Sequence, residues 1–308
     1  MTRNTRILVV GATGCIGSRL TTALTKYGHE VTAFSRSVSQ TSFPYGVETF
    51  EGDLREPDSI SDLCTDIDVA YYLVHSLGGE NFAEQDRKCA RRFREEATAN
   101  SVDRVVYLSG ISPDTTELSP HLASRRDVES VLAAGAYDLT VLRAAIVIGP
   151  DSASFRIIDD LTDRTPFLVV PTGVRTPCQP IYVHDVVTYL VELLDVGESR
   201  GKTYDIGGLS IVTYESLLKL TAREKDKRIF IVSVPGLTPE QASHGLRLMT
   251  DVPYTITRSL VESIQHPVTV NCDRDLQNVI PIERTPIANA IRRVLGTSET
   301  SHVASITH

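Results

Sequence analysis

The sequence predicts an α/β protein built on a doubly wound parallel sheet, with a small C-terminal lobe. Over the first 150 residues, short apolar runs typical of buried strands alternate with longer segments typical of amphipathic helices. The first apolar run, at 6–10, leads directly into the glycine-rich turn GATGCIG and a helix. Strands that are buried on both faces and joined by helices form a parallel sheet with helices on both sides.

Six strands and the helices between them follow in order along this first part. The strands are predicted at 6–10, 30–34, 47–53, 68–74, 104–110 and 138–149. The longer helices are predicted at 15–27, 82–100 and 119–134. Pro57 begins a short helix after the third strand, because proline suits the first helical position.

The alternation loosens from about residue 150. Helices are predicted at 153–164, 182–195, 212–224, 239–250 and 255–265, and strands at 202–208 and 228–234. No internal repeat or low-complexity linker separates this half from the first. It is therefore expected to complete the sheet and to fold a small lobe onto it.

Composition excludes several classes of protein. The formal net charge of −8 leaves no basic patch for a nucleic acid. No apolar run approaches the roughly 20 residues of a membrane span. The five cysteines are odd in number and widely spaced, so neither a disulfide framework nor a metal site is expected. The N-terminus carries no signal-peptide pattern, which together with reduced thiols predicts a cytoplasmic protein.

The glycine-rich turn predicts a dinucleotide site. Its spacing is GxxGxxG, and it lies between a strand and a helix near the start of the chain. Such glycines permit a tight turn and let the backbone approach a pyrophosphate, which the helix N-terminus then binds. The expected contacts are Gly11, Thr13, Gly14, Cys15, Ile16 and Gly17.

The chain is predicted to form one domain with a flexible tail. Residues 1–150 form its dinucleotide-binding core, and 151–296 form the remaining sheet and a substrate-binding lobe of the same domain. Residues 297–308 form the tail.

The end of the second strand predicts which nicotinamide cofactor is preferred. A carboxylate there would hold the adenosine ribose hydroxyls of NAD. The chain instead has Ser35 and Arg36, and a guanidinium suits a 2′-phosphate. We therefore expect NADP(H) to be preferred over NAD(H).

Asp53 and Leu54 end the third strand. Two roles are equally consistent with these residues: they contact the adenine of the cofactor, or they form a plain turn.

The motifs together resemble the atypical branch of the short-chain dehydrogenase/reductases, which have a Rossmann-type fold. VVGATGCIG, EGDL, RVVYLSG and LRAAIVIGP carry the general resemblance. YYLVHSL, LSPHLASRRDVE, QPIYVHDVVTYL and TYDIGG resemble a narrower group of NAD(P)H-binding proteins, related to NmrA-like proteins and to an accessory subunit of respiratory complex I. The resemblance extends to about residue 295.

The resemblance implies a catalytic serine, tyrosine and lysine, of which this chain retains only the serine. Ser109 lies in the expected region after the fifth strand, with Ser112 as an alternative. The tyrosine and lysine positions hold His121 and Arg125, and no lysine occurs between Lys88 and Lys202. Arg125 keeps a positive charge for the cofactor ribose but cannot release a proton. His121, with an ordinary pKa near ~6.5, suits a general acid if it faces the cleft rather than solvent.

Other side chains at the same edge of the sheet are expected to contact the cofactor. Leu73, Val74 and His75 end the fourth strand and are followed by Ser76. Ile146 on the sixth strand, with Arg143, Ala144 and the residues up to Gly149, is expected to form a wall beside the nicotinamide. His184 and Asp185 fit a packing role better than a catalytic one.

Two functions from different classes are consistent with these residues. The first is an NADPH-dependent reductase of a small carbonyl, quinone or enone, which the glycine motif and polar cleft favour. The second is a non-catalytic NAD(P)H-binding redox sensor or assembly factor, which the missing tyrosine and lysine favour. The expected ligand is a small molecule in either case, and the chain is expected to be a monomer or homodimer.

Overall fold

The computed structural model describes residues 4–75, 81–113, 118–247 and 249–304. Its centre is a seven-stranded sheet in which every neighbouring pair of strands is parallel. The strands are β1 (Arg6–Val10), β2 (Glu30–Ser35), β3 (Glu48–Glu51), β4 (Val69–Tyr72), β5 (Arg104–Gly110), β6 (Asp138–Ala144) and, later in the chain, β11 (Thr203–Ile206). Their spatial order is β11-β6-β5-β4-β1-β2-β3. This order confirms the predicted Rossmann-type fold.

Helices cover both faces of this sheet. Those that pack on the sheet are α1 (Cys15–Lys26), α2 (Phe82–Ala99), α3 (Pro120–Leu132) and α5 (Val183–Glu192), whereas α4 (Ala153–Arg164) and α6 (Tyr214–Glu224) pack in the lobe. Leu20 of α1 and Leu190 of α5 pack into the core on one face, whereas Phe93 of α2 and Leu132 of α3 pack into the core on the other. The inner strands β1, β4 and β5 are thus buried on both sides, which is why their sequences are almost continuously apolar, whereas the edge strand β3 is largely exposed.

The predicted sixth strand at 138–149 is wrong in its second half. The chain leaves the sheet after Ala144 and forms a separate short strand, β7 (Val147–Ile148). β7 pairs with β10 (Ile181–Tyr182), and Ile146 O accepts from Ile181 N at 2.8 Å. An apolar run does not reveal which neighbour its backbone will pair with, so the sequence could not show this break.

The remaining elements form the lobe around a third apolar core. They comprise β8 (Phe167–Pro171), β9 (Pro177–Cys178), β12 (Val212–Thr213), β13 (Phe230–Val234), α7 (Pro239–Leu246), α8 (Tyr254–Ser263) and α9 (Ile287–Ala304). β8 and β13 pair in parallel outside the main sheet. The sequence prediction missed β8, which is short and ends on a proline, and α9, whose buried face is Ile287, Ala290, Ile291 and Val294. α9 extends to Ala304, into the stretch predicted as a flexible tail.

Neither a membrane span nor a metal cluster occurs in the described ranges. No helix there combines the length and apolar character needed to cross a bilayer. Nor does any group of three or more His, Cys, Asp or Glu side chains there have an arrangement that would hold a metal ion.

Candidate functional site

The glycine turn after β1 has the backbone that a dinucleotide requires. Gly11 has φ of +92°, a conformation that side chains other than glycine rarely adopt. Gly11 N and Ala12 N both donate to Phe34 O of β2, at 2.9 and 3.1 Å. A Cβ added to Gly17 would lie 2.2 Å from Gly11 O. The third glycine therefore lets α1 pack directly against the turn, as the sequence predicts.

The N-terminus of α1 provides the anion-binding groups. Its N-cap is Gly14, which supplies no side-chain cap. The first backbone N–H groups of a helix have no partner within the helix, and the helix dipole adds positive charge there. Thr13 is exposed beside them, and its Oγ1 lies 3.2 Å from Ser35 Oγ. Cys15, Ile16 and Gly17 line the adjoining cavity with Gly11 and Gly14. This cradle fits a dinucleotide pyrophosphate.

The end of β2 keeps one exposed cation. Ser35 is buried, and its hydroxyl accepts from Ser37 N at 3.1 Å. Arg36 is exposed and makes no side-chain hydrogen bond or ion pair with another described residue. Its guanidinium is near enough to Asp53 to lower the pKa of that carboxyl. Arg36 is therefore available to a ligand phosphate.

Asp53 and Leu54 have structural roles at the end of β3. The Asp53 carboxylate accepts from Arg55 N at 2.9 Å and pairs with the Arg55 guanidinium at 2.5 Å. These hydrogen bonds lower the pKa of Asp53. Leu54 is 3% exposed, and its carbonyl accepts from Arg92 Nη1 at 3.0 Å. The contacts match the turn-forming alternative for Asp53, and Leu54 packs in the core.

A single cavity of about 410 Å³ runs from the glycine turn to the lobe. That volume lies within the roughly 300–1,000 Å³ range of small-molecule sites. Most of the predicted site residues line it. They are Gly11, Gly14, Cys15, Ile16, Gly17, Leu73, His75, Ser109, His121, Arg125 and Ile146. Val74 instead packs behind the turn, with its Cγ2 3.2 Å from where a Gly11 Cβ would lie. Ser76 lies outside the described residues.

Three buried polar atoms lie close together at the cavity wall, and none of them makes a hydrogen bond of good geometry within the described part of the chain. They are Ser109 Oγ, Tyr107 Oη and Arg125 Nε. Burial raises the pKa of the Tyr107 hydroxyl, whereas the charge of Arg125 and weak hydrogen bonds to the Arg125 and Ser109 side chains oppose that rise. Unpaired buried polar atoms are rare in proteins, because each costs about 1–3 kcal/mol. Ser109 and Arg125, which line the cavity, are therefore well placed to bond a ligand.

Arg125 is free because its acidic neighbours on α3 pair elsewhere. Glu129 forms a bidentate pair with Arg143 at 3.0 and 2.7 Å, and Asp127 pairs with Arg87. Within the described ranges no carboxylate lies at ion-pair distance from Arg125, which is 9% exposed. The geometry contradicts the expectation that Arg143 forms part of the nicotinamide wall: it is held by Glu129. Ala144, Ala145, Ile146 and Val147 do line the cavity, but Gly149 is not among the lining residues.

The two histidines of the cavity are neutral at ordinary pH. Burial, with a further contribution from Arg125, lowers the pKa of His121 to about 3. The His75 side chain is open to the cavity, but desolvation by the surrounding protein lowers its pKa well below the usual range. Arg125 and His121 lower the His75 pKa further. His121 thus faces the cavity, and burial there holds its pKa below the ordinary value near ~6.5 that the sequence suggests.

The alternatives considered from the sequence occupy other positions. Ser112 Oγ accepts from Arg126 Nε at 3.1 Å, and Ser112 does not line the cavity. Asp185 is buried and accepts from Thr285 N at 2.7 Å and from Thr285 Oγ1 at 2.9 Å. His184 is exposed and stacks on Tyr182. The packing role predicted for His184 and Asp185 agrees with these contacts.

Three residues of the site were missed from the sequence. Arg19, one turn into α1, pairs with Asp151 at 3.6 Å at the glycine end of the cavity. A basic residue one turn after a glycine motif is a signal that could have found it. Tyr214 and Ser263 line the lobe side. They lie far along the chain from the glycine motif, and no local pattern marks them.

The fold and the cradle define a Rossmann-type nucleotide-binding protein. A model of the NAD(P)H-binding family matches residues 11–167, just over half of the chain. The chain therefore belongs to the NAD(P)H-binding family. The matched region spans the glycine turn, Ser109, His121 and Arg125.

Several known proteins are similar to this chain. The mitochondrial NADH dehydrogenase [ubiquinone] 1 alpha subcomplex subunit 9 of Arabidopsis thaliana is 25% identical over 224 residues, which are 69% of this chain and 56% of that protein. The chain thus spans little more than half the length of this relative. A triphenylmethane reductase from Citrobacter sp. superposes with a TM-score of 0.77 at 19% identity, covering 94% of this chain and 99% of that one. A nucleoside-diphosphate-sugar epimerase from Staphylococcus aureus superposes with a TM-score of 0.76 at 13% identity, covering 93% and 99%.

Proposed function

We propose that the protein is an NADPH-dependent reductase of a small carbonyl, quinone or enone. One observation carries the proposal: the Ser109 and Arg125 side chains, which make no hydrogen bond of good geometry within the described residues, line with His121 a cavity that begins at the dinucleotide cradle. NAD(P)H supplies a hydride when bound. The chain's own residues would bind the substrate oxygen and hold it in position.

The three side chains have distinct roles in this proposal. The Ser109 hydroxyl donates to the substrate carbonyl oxygen and orients it. His121, as a neutral imidazole, donates a ring N–H to the same oxygen and polarises the carbonyl without carrying a charge. Arg125 is permanently charged, so it binds hydroxyl or carbonyl oxygens but does not transfer a proton. This arrangement replaces the tyrosine and lysine with two neutral donors and a fixed cation, and the alkoxide that hydride transfer leaves takes its proton from water.

Arg36 and the neighbouring hydroxyls support the preference for NADP(H). An exposed guanidinium without a protein partner suits a 2′-phosphate, which it can bind through two parallel hydrogen bonds. Arg36→Ala should weaken NADP⁺ binding by about tenfold or more and leave NAD⁺ binding unchanged. Calorimetric dissociation constants test this, with Arg91→Ala, an exposed arginine of α2, as the matched control.

The activity is tested by NADPH oxidation across a panel of carbonyls and quinones. Ser109→Ala and His121→Ala should each lower kcat/KM by about 100-fold, because each removes a donor to the developing negative charge. Ser112→Ala and His184→Ala are the matched controls, since neither side chain lines the cavity. Equal losses in Ser109→Ala and Ser112→Ala would contradict the assignment.

A non-catalytic role as a redox sensor or assembly factor is the second candidate. The absent tyrosine and lysine favour it, and the Arabidopsis relative is named as a subunit of a larger complex. In this case NADPH binds tightly, but no carbonyl or quinone in the panel is reduced. Turnover that depends on Ser109 rules this candidate out.

A further inference from the structure

The outer half of the cavity is formed almost entirely by aliphatic side chains of the lobe. They come from α4, β8, α6, α7 and α8 and from the segments next to them. Those that matter most here are Ile158, Leu161, Val170, Val174, Leu260 and Ile264. These segments are separate in the chain, so the apolar surface arises only when the lobe folds.

Charged groups are confined to the glycine end of this cavity. Of the described side chains that line it, only Arg125 and Asp151 carry a formal charge, and Asp151 pairs with Arg19. On the lobe side the polar side chains are Ser152 and Ser154 at the start of α4, Tyr214 and Ser263. The Ser263 hydroxyl is already bonded to Ser119 Oγ at 3.1 Å, and both residues are buried. Tyr214 is therefore the large polar group of the lobe wall that remains available to a ligand, besides the serines at the start of α4.

This chemistry does not suit a nucleotide sugar, although the fold is shared with a nucleoside-diphosphate-sugar epimerase. A diphosphate carries at least two negative charges, and their burial requires arginine, lysine or several N–H donors. The lobe side offers none of the cationic side chains. An uncharged molecule loses little by entering such a cavity, and its apolar surface gains by leaving water.

Tyr214 lies where a ligand would extend from the reacting centre into the lobe. It is the first residue of α6 and packs with Ile111 after β5, Ala145 after β6 and Val268. Burial raises the pKa of its hydroxyl, so the group stays a protonated donor. Its hydroxyl makes no hydrogen bond with another described residue.

We infer that the substrate is an uncharged, largely apolar carbonyl compound, with a second oxygen that accepts a hydrogen bond from Tyr214. The aliphatic side chains of the lobe contact its apolar body, and Ser109 and His121 bind the carbonyl. This inference rests on the proposed reductase function and narrows its substrate class. It makes Tyr214 a binding residue and Leu260 a determinant of specificity.

The test is calorimetric binding to protein saturated with NADP⁺, so that no turnover occurs. The probes are decylubiquinone and progesterone, two uncharged apolar compounds with more than one carbonyl or ether oxygen, and UDP-glucose. At least one apolar probe should bind with a micromolar dissociation constant, and UDP-glucose should not bind. Tyr214→Phe should weaken apolar binding about three- to tenfold, the usual loss for one hydrogen bond.

A blocking substitution provides the second variant. Leu260→Trp fills the lobe side with a larger apolar side chain and should weaken the apolar probes at least tenfold. Matched controls are Tyr45→Phe and Leu209→Trp, because both residues are well exposed, at 103% and 51%. Every variant should keep wild-type affinity for NADP⁺, which shows that the core is folded.

The outcomes separate this inference from the proposed function. Binding of UDP-glucose, failure of both apolar probes, or unchanged affinity in Leu260→Trp overturns the inference. Tight apolar binding without NADPH oxidation supports the inference and contradicts the reductase. Ser109-dependent reduction of a carbonyl that is unaffected by Leu260→Trp supports the reductase and overturns the lobe assignment.

Discussion

The chemistry of the site depends on a few side chains whose state is set by their neighbours. Arg125 is available to a ligand because Glu129, its neighbour on α3, pairs with Arg143 of β6 instead. His121 is neutral because the cavity wall desolvates it and Arg125 adds positive charge nearby. From the sequence alone, a histidine and an arginine four residues apart on one face of a helix could both carry a positive charge. The pair instead consists of one fixed charge and one neutral hydrogen-bond donor.

The lowered pKa of His121 predicts a specific loss of stability in acid. The pKa is about 3 in the folded protein and roughly 6.5 in the unfolded chain, so between these values the unfolded chain binds more protons. The free energy of unfolding should therefore fall as the pH decreases through this window, and be fully retained above it. Glutamine does not titrate, so in His121→Gln the free energy of unfolding should fall less steeply in this window. The difference in slope should be up to about 1.4 kcal/mol per pH unit.

Urea denaturation of wild type and His121→Gln between pH 8 and pH 4 measures this contribution. Above pH 7 the difference between the two proteins should be constant, and below it the variant should lose stability less steeply. Parallel curves throughout would show that His121 keeps an ordinary pKa. The kinetic counterpart is that kcat/KM should show no titration step near pH 6.5, because His121 does not change its protonation state there.

At the scale of elements, the strand–turn–helix unit at the start of the chain agrees most closely with its sequence prediction. Alternation and glycine spacing are local, and they determine β1, the turn and α1 within a residue or two. The predicted strand at 138–149 fails because its second half pairs with β10, more than 30 residues later. Local pattern determines the backbone conformation of a segment, but its pairing partner depends on the rest of the chain.

The close contact at Gly17 predicts what a single methyl group should do. Gly17→Ala would place a Cβ 2.2 Å from Gly11 O, so α1 would have to move away from the turn. Binding of NADPH should weaken at least tenfold, and the protein should lose about 1–3 kcal/mol of stability. Calorimetry and urea denaturation measure the two effects.

Gly245→Ala in α7 is the matched control for this substitution. A Cβ there meets nothing within 4 Å, and the residue is exposed in a helix. Alanine favours a helix over glycine by up to about 1 kcal/mol, so this variant should be as stable as wild type or slightly more stable. NADPH binding that is equally weakened in both variants would contradict the packing role of Gly17.

In the whole molecule, the two ends of the sheet have different tasks. The carboxyl ends of the strands carry the cradle and the cavity, as in other open α/β sheets. The amino end of β5 carries Arg104, which is 1% exposed. Its guanidinium donates to Thr140 Oγ1, Leu193 O and Ser199 Oγ at 2.7 to 3.3 Å. It therefore joins the sheet to the chain that follows α5.

Replacement of Arg104 should destabilise the fold and leave the site intact. Arg104→Met removes hydrogen bonds from a charged donor and leaves buried acceptors without partners, at a cost of about 2–4 kcal/mol. Arg6→Met is the matched control, because Arg6 is 45% exposed and solvent screens its ion pair with Asp68, so its loss should hardly change the stability. Urea denaturation measures both, and NADPH affinity at low urea should match wild type. Equal stability of the two variants would contradict the role of Arg104.

The doubly wound sheet, the dinucleotide cradle, the lack of a tyrosine and lysine pair, and the residues in their places could all be predicted from the amino-acid sequence. These features depend on periodicity and spacing, which act over a few residues. The lowered pKa of His121, the pairing of Arg143 with Glu129 and the apolar lobe side of the cavity follow only from the folded arrangement. Those properties depend on burial and on distances between residues remote in the chain. Desolvation and pairing exist only once packing brings such residues together.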